Sequence, residues 1–155
     1  HSAMEILYLP DIYLYGVRTS IMHKSMMDAI EQATEFCARK GIEVEGRKMG
    51  VLTHHTFHYP NDPKNYLLGI SVHATATKII PDSLLMIPQG KYASFVTQSS
   101  VRAVRELLQE VKFGWLDQSP YTFRDLIAYE EFLPEPSPVR YPYFLRRIYI
   151  PVQLK

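Results

Sequence analysis

The chain has little of what most specialised protein classes need. Its 155 residues include a single cysteine, Cys37, so no internal disulfide can form and the fold has to hold together by packing. A lone thiol of this kind reads as a small packed hydrophobe and fits a reducing, cytoplasmic setting. No apolar run approaches the roughly 20 residues that span a bilayer, and no basic segment leads into an apolar one at the N-terminus. The seven glycines form no glycine-rich loop and no Gly-Lys-Ser/Thr, which excludes a phosphate cradle. No serine or cysteine sits in a glycine-flanked elbow, so nucleophilic catalysis has no motif to rest on. An excess of one charge is missing too: 17 Lys and Arg face 16 Asp and Glu, for a formal net charge of +1. The adjacent basic pairs are scattered at Arg39-Lys40, Arg47-Lys48 and Arg146-Arg147, so direct nucleic-acid contact by this chain is not expected. Lys91, Lys112 and the remaining charges read as a solvated surface.

What is present is apolar and aromatic. Hydrophobic residues make up 46% of the chain, with eleven Tyr and seven Phe, enough for a substantial core. His1-Ser2-Ala3 reads as a cloning remnant, and residues 4–155 as one domain. Ile12 to Ser20 has the aromatic and β-branched composition of a strand. A helix follows, capped by Ser25 or Asp28, with Met26, Ala29, Ile30, Ala33, Phe36 and Cys37 on one stripe and Gly41 ending it. Val51–Tyr59 and Tyr66–Thr75 read as a hairpin around Pro60-Asn61-Asp62-Pro63. The order then recurs: Leu84–Thr97 extended, Val101–Phe113 helical on the Val101, Val104, Leu107, Leu108, Val111 stripe, and strands at Ile127–Leu133 and Phe144–Val152.

Residues repeat along with the elements. Tyr13-Leu14-Tyr15-Gly16-Val17 matches Tyr92-Ala93-Ser94-Phe95-Val96 at an offset of 79, and Leu67–Val72 matches Leu145–Ile150 at an offset of 78. Such a period is too long for a solenoid. It predicts an α+β fold of duplicated β-α-β-β half-domains, about 11–80 and 84–152, merged into one antiparallel sheet with helices packed on it. A ligand pocket is expected at the pseudo-two-fold seam, where concave surface is left between the helices.

Within the second half, Leu126-Ile127-Ala128-Tyr129-Glu130-Glu131-Phe132-Leu133 plants two adjacent acids in an apolar strand. Strand neighbours point to opposite faces, so Glu130 shares a face with Ala128 and Phe132. A buried carboxylate needs a cation, a proton or a hydrogen-bond network. Two alternatives stand beside a ligand cation: Glu131 inward with Glu130 at the rim, or an internal ion pair with Arg146 or Arg147. The repeat offset sets Glu130 against the neighbourhood of Thr53-His54-His55. His54 and His58, read on a strand, lie about 13 Å apart, too far for one ion, so no metal site is expected. No cofactor is implied.

The segments Ile87-Pro88-Gln89-Gly90-Lys91-Tyr92-Ala93, Gly114-Trp115-Leu116, Tyr129-Glu130-Glu131-Phe132 and Ile148-Tyr149-Ile150-Pro151-Val152 together resemble the GyrI-like effector-binding domain family. That resemblance implies a pocket for lipophilic, often cationic, aromatic compounds, in a stand-alone protein or in the sensor half of a bacterial transcription regulator whose DNA-binding domain lies elsewhere in the parent protein. By motif position it makes Glu130 the floor of the pocket. Phe132 stands where the family usually has tyrosine. Wall candidates are Tyr13 or Tyr15, Trp115, Tyr121, Phe132 and Tyr149. A second reading implied by the resemblance is a hydrolase of electrophilic drug-like molecules, with Glu130 as general base and Tyr121 or Tyr149 as donor. A third is a gyrase-type protein-interaction module. Oligomeric state is not legible.

Overall fold

The computed structural model describes residues 2–134 and 144–155. Nine strands are present among them: β1 (Glu5–Leu9), β2 (Ile12–Thr19), β3 (Val44–Leu52), β4 (Tyr66–Val72), β5 (Leu84–Ile87), β6 (Gly90–Ser99), β7 (Tyr121–Phe123), β8 (Ala128–Phe132) and β9 (Phe144–Leu154). The helices are α1 (His23–Lys40), α2 (His54–His58), α3 (Val101–Glu110) and the short α4 (Leu116–Gln118), which continues α3 through a π-helical turn at Val111–Trp115. All strand pairs are antiparallel, in the order β1-β6-β9-β8-β3-β4-β2-β5, with β7 on the far end of β9. The central six strands read β6-β9-β8 then β3-β4-β2, the same order from either side of the β8·β3 ladder. That ladder is the seam between the two halves, as the repeat predicts.

The two ends of the sheet are not ordinary free edges. β1 leads into β2 through Pro10-Asp11, and β5 into β6 through Pro88-Gln89. The pairings Leu9↔Gly90 and Ile12↔Ile87 continue one register across this corner, and the Gln89 amide donates to Asp11 Oδ1 at 2.8 Å. Two long strands therefore bend together at paired prolines, which have no amide to give to a ladder. The curl buries the face away from the helices, where Leu14, Met49, Ile87, Tyr92, Tyr129 and Tyr149 pack.

The other face carries the helices. α1 buries Met26, Ala29, Ala33 and Cys37 and ends at Gly41, whose φ of 67° suits the residue after a helix. Neither Ser25 nor Asp28 caps it. Its entry is the extended Met22, set by the buried Ile21 and by Thr19 Oγ1 donating to the Ser25 carbonyl. α3 is capped by Ser100, which accepts from the Ala103 amide, and it buries Val104 and Leu108 against Phe95, Ile148 and Ile150.

Two expectations are corrected around residue 53. The first strand of the hairpin is Val44–Leu52, not Val51–Tyr59, because Thr53 and Thr56 cap each other reciprocally and start α2. His54 and His58 are consequently one helical turn apart with rings stacked at 5.4 Å, not 13 Å apart on a strand. Among the described residues no three His, Cys, Asp or Glu side chains come together as metal ligands.

Gly69 and Gly16 face one another where β2 crosses β4, and a Cβ on Gly69 would lie 1.8 Å from the Tyr15 carbonyl oxygen. Backbone cannot give way there. Gly69→Ala is expected to cost about 2–4 kcal/mol in urea unfolding. Gly114→Ala, on the helical turn with nothing within 4 Å, is expected to be neutral or to stabilise by up to about 1 kcal/mol.

Candidate functional site

The seam pairs Lys48 with Phe132, Gly50 with Glu130 and Leu52 with Ala128. Strand alternation sends Ala128, Glu130 and Phe132 to the helix face, and Tyr129 and Glu131 to the other. Glu130 thus faces Gly50, three residues before the Thr53–His55 stretch expected from the offset, since β3 ends at Leu52. The glycine is a spatial requirement. A Cβ there would sit 1.9 Å from the Tyr66 hydroxyl, which passes over Gly50 from β4 and donates to Glu130 Oε1 at 2.5 Å. From the other side Arg146 of β9 donates to Glu130 Oε2 at 3.1 Å and to the Ser99 carbonyl at 3.1 Å.

Glu130 and Arg146 are both fully buried, and Tyr66 is 1% exposed. Of the alternatives open in the sequence, the structure shows the internal ion pair with Arg146. Burial, then the Glu130 carboxylate, pushes the Tyr66 phenol well above its ordinary range, so it stays a donor. The Arg146 guanidinium lies 5.2 Å from the Phe132 ring centroid and 5.8 Å from that of Phe144, and those rings meet edge to face at 5.5 Å. Arg146 Nε has no hydrogen-bond partner among the described residues.

Glu131 serves the opposite face. Arg47 grips it with two hydrogen bonds of 2.9 Å, and Tyr149 donates to it at 2.7 Å. Burial alone would raise the Glu131 carboxyl, but the Arg47 and Tyr149 hydrogen bonds outweigh it and hold the group below its ordinary value. Burial and the Glu131 hydrogen bond push the Tyr149 phenol up to about 12.

A cavity of about 600 Å³ opens beside the ion pair, under α1 and over the end of the seam. Met26, Met27 and Ile30 of α1 form one wall, Leu68, Phe132 and Phe144 another. Its polar end is made by Glu45–Lys48 of β3, where the register with β4 shifts and Gly46 takes φ 88°, and by Glu131. Phe132 and Phe144 line the cavity whereas Glu130, Arg146 and Tyr66 do not. The rings stand between ligand space and the buried charges.

Of the residues singled out from sequence, Phe132 lines this cavity and Glu130 does not: it is paired with Arg146, whose guanidinium lies against the Phe132 ring. Trp115 lines a smaller hollow with Met4 and Leu107. Tyr13 and Tyr15 pack with α1, Tyr15 stacked on Phe36 at 4.3 Å. Tyr121 lies under Lys91, and Tyr149 belongs to the opposite face with Tyr92. Sequence reasoning missed Tyr66, Gly50 and the α1 methionines. The Met26–Ile30 spacing was visible as a stripe, whereas the reach of Tyr66 across a glycine had no local signal.

A duplicated α+β sheet with an apolar, aromatic-walled cavity at its seam defines a small-molecule-binding module. The chain belongs to the GyrI-like small molecule binding domain family, whose model matches residues 2–153. Among solved structures it is similar to the C-terminal domain of EcmrR, with a TM-score of 0.70, 11% identity, and 99% of this chain and 98% of that one covered. The EcmrR chain in its DNA complex is matched over 58% of its length, with a TM-score of 0.69, 10% identity and 99% of this chain covered. SAV2435 bound to tetraphenylphosphonium matches with a TM-score of 0.54 and 15% identity, over 98% of this chain and 94% of that one. A hydrolase from Listeria innocua matches with a TM-score of 0.59 and 11% identity, over 97% and 91%. No match was found among curated proteins.

Arg146→Met, which strands the Glu130 charge, is expected to cost about 3–5 kcal/mol, and adding Glu130→Gln should restore much of it; chemical unfolding of both variants checks this. Because the Glu131 carboxyl is lowered on folding, its contribution is present above its ordinary value and is lost as pH falls through the lower folded value. Glu131→Gln should therefore be less stable than wild type at pH 7, with the gap closing as a thermal-melt series goes below about pH 4.

Proposed function

We propose that the cavity under α1 binds a lipophilic, aromatic small molecule, and that the chain acts as a sensor module of a regulator or as a sequestering protein. The observation that carries this reading is the apolar space of about 600 Å³ walled by Met26, Met27, Ile30, Phe132 and Phe144 at the seam of a GyrI-like fold. Unbranched methionines accept varied shapes, and the two phenyl faces favour flat or cationic partners. The shared fold with a tetraphenylphosphonium-bound protein and with part of a DNA-bound regulator supports both halves of the proposal.

Charge selection differs from what a bare acid would impose. Arg146 already neutralises Glu130, and Arg47 neutralises Glu131. A ligand cation gains the attraction of the rings, about 0.5–2 kcal/mol each, without a free buried carboxylate behind them. Hydrolysis is not favoured by this geometry: Glu130 is fully buried and salt-bridged, and Tyr149 hydrogen-bonds Glu131 on the other face.

Calorimetric titration with tetraphenylphosphonium and with the uncharged triphenylphosphine oxide tests the reading. Both should bind, with affinities within about tenfold of each other, and Met26→Lys should weaken both at least tenfold. Absence of binding by either compound, or binding indifferent to Met26→Lys, would overturn it.

A further inference from the structure

The seam has a second hollow, of about 280 Å³, walled by α3, the end of β3, α2 and the start of β8. It is the pseudo-two-fold counterpart of the first. Met26 and Ile30 on the wall of the first cavity correspond, 79 residues on, to Arg105 and Gln109 on the wall of the second. Phe132 corresponds to Thr53, and Lys48 to Ile127. Duplication has therefore built two hollows on one plan and filled them with different chemistry.

The floor of the second is apolar: Leu52, Phe57, Leu108, Ile127 and Ala128. Its rim is basic. Arg105 and Lys112 stand two helical turns apart on the same face of α3 and its continuation, with His54 across from them, and among the described residues no Asp or Glu lines the space. Neither Arg105 nor Lys112 makes an ion pair or a hydrogen bond among the described residues. Lys112 is partly buried with its ammonium 5.6 Å from the Phe123 ring, and loss of solvent lowers its pKa. A partly desolvated cation at the rim of an apolar hollow is a good partner for an amphipathic anion. Leu126, 78% exposed at the mouth, extends the apolar surface outward.

We propose that this second hollow binds an organic carboxylate, its hydrocarbon or aromatic body on Leu52, Phe57, Leu108 and Ile127 and its carboxylate between Arg105 and Lys112. The site is separate from the α1 cavity and does not depend on that cavity's occupancy.

Amide chemical-shift mapping with 2-naphthoate and the uncharged 2-naphthamide tests it. Naphthoate should saturate with a Kd below about 1 mM, shifting the amides of Thr53, Arg105, Lys112 and Ile127 while leaving those of Met26, Ile30 and Lys48 in place. Naphthamide should bind at least tenfold more weakly. Arg105→Gln with Lys112→Gln, both at positions open to solvent on one side, should abolish the preference while the spectrum stays that of a folded protein. Shifts at the α1 cavity instead, equal affinity for the two compounds, an unchanged preference in the double variant, or no saturable shift each overturns the proposal. Loss of tetraphenylphosphonium binding has no bearing on these readouts, so failure of the first site and of this one are told apart.

Discussion

A fully buried carboxylate at the centre of a sheet has to be answered, and the answer organises the seam of this protein. Glu130 accepts from Tyr66 on the strand two places to one side and from Arg146 on the strand next to it on the other. Those contacts tie β4, β8 and β9 together over β3, and β3 contributes only an absence, the missing side chain of Gly50. The rings of Phe132 and Phe144 close over the guanidinium, so that the cavity wall rests directly on the residues that satisfy the charge. Buried pairs of this kind add little stability relative to apolar packing, yet losing one partner is costly. The arrangement therefore specifies the seam more than it strengthens it.

Much of this fold was legible in the chain. The repeat near 79 residues, the helical stripes and the strand-like alternation gave the two halves and their meeting line, because each is a local period or a self-similarity that survives without knowledge of contacts. β1 and β7 were not legible: they are short, and they exist by pairing with β6 and β9 rather than by any pattern of their own. Residues 54–58 were misread because three histidines and a phenylalanine have no strong helical signal, and the reciprocal Thr53–Thr56 cap decided the matter.

The site divided in the same way. The parity of Tyr129-Glu130-Glu131-Phe132 set Glu130 with Phe132 on one face and Glu131 with Tyr129 on the other from sequence alone, since alternation in a strand is rigid geometry, but it left open which face looked inward. What alternation could not supply was the identity of the partner. Arg146 and Arg147 are adjacent in the chain and point oppositely: Arg146 meets Glu130, while Arg147 bonds Ser94 and Glu5 on the other side. The choice depends on register between β8 and β9, which the stretch of chain separating Phe132 from Phe144 leaves open in the sequence.

The mirror order of strands about the β8·β3 ladder has a mechanical side. The α1 cavity takes one wall from the first half and another from the start of β9 and the end of β8 in the second. A guest held there would touch both halves at once, adding a clasp to the five residue pairs of the ladder and to the Tyr66–Glu130 and Arg47–Glu131 contacts that already cross the line. On the proposed reading its binding energy would add to the adhesion of the halves, and occupancy would register as resistance to their sliding or parting.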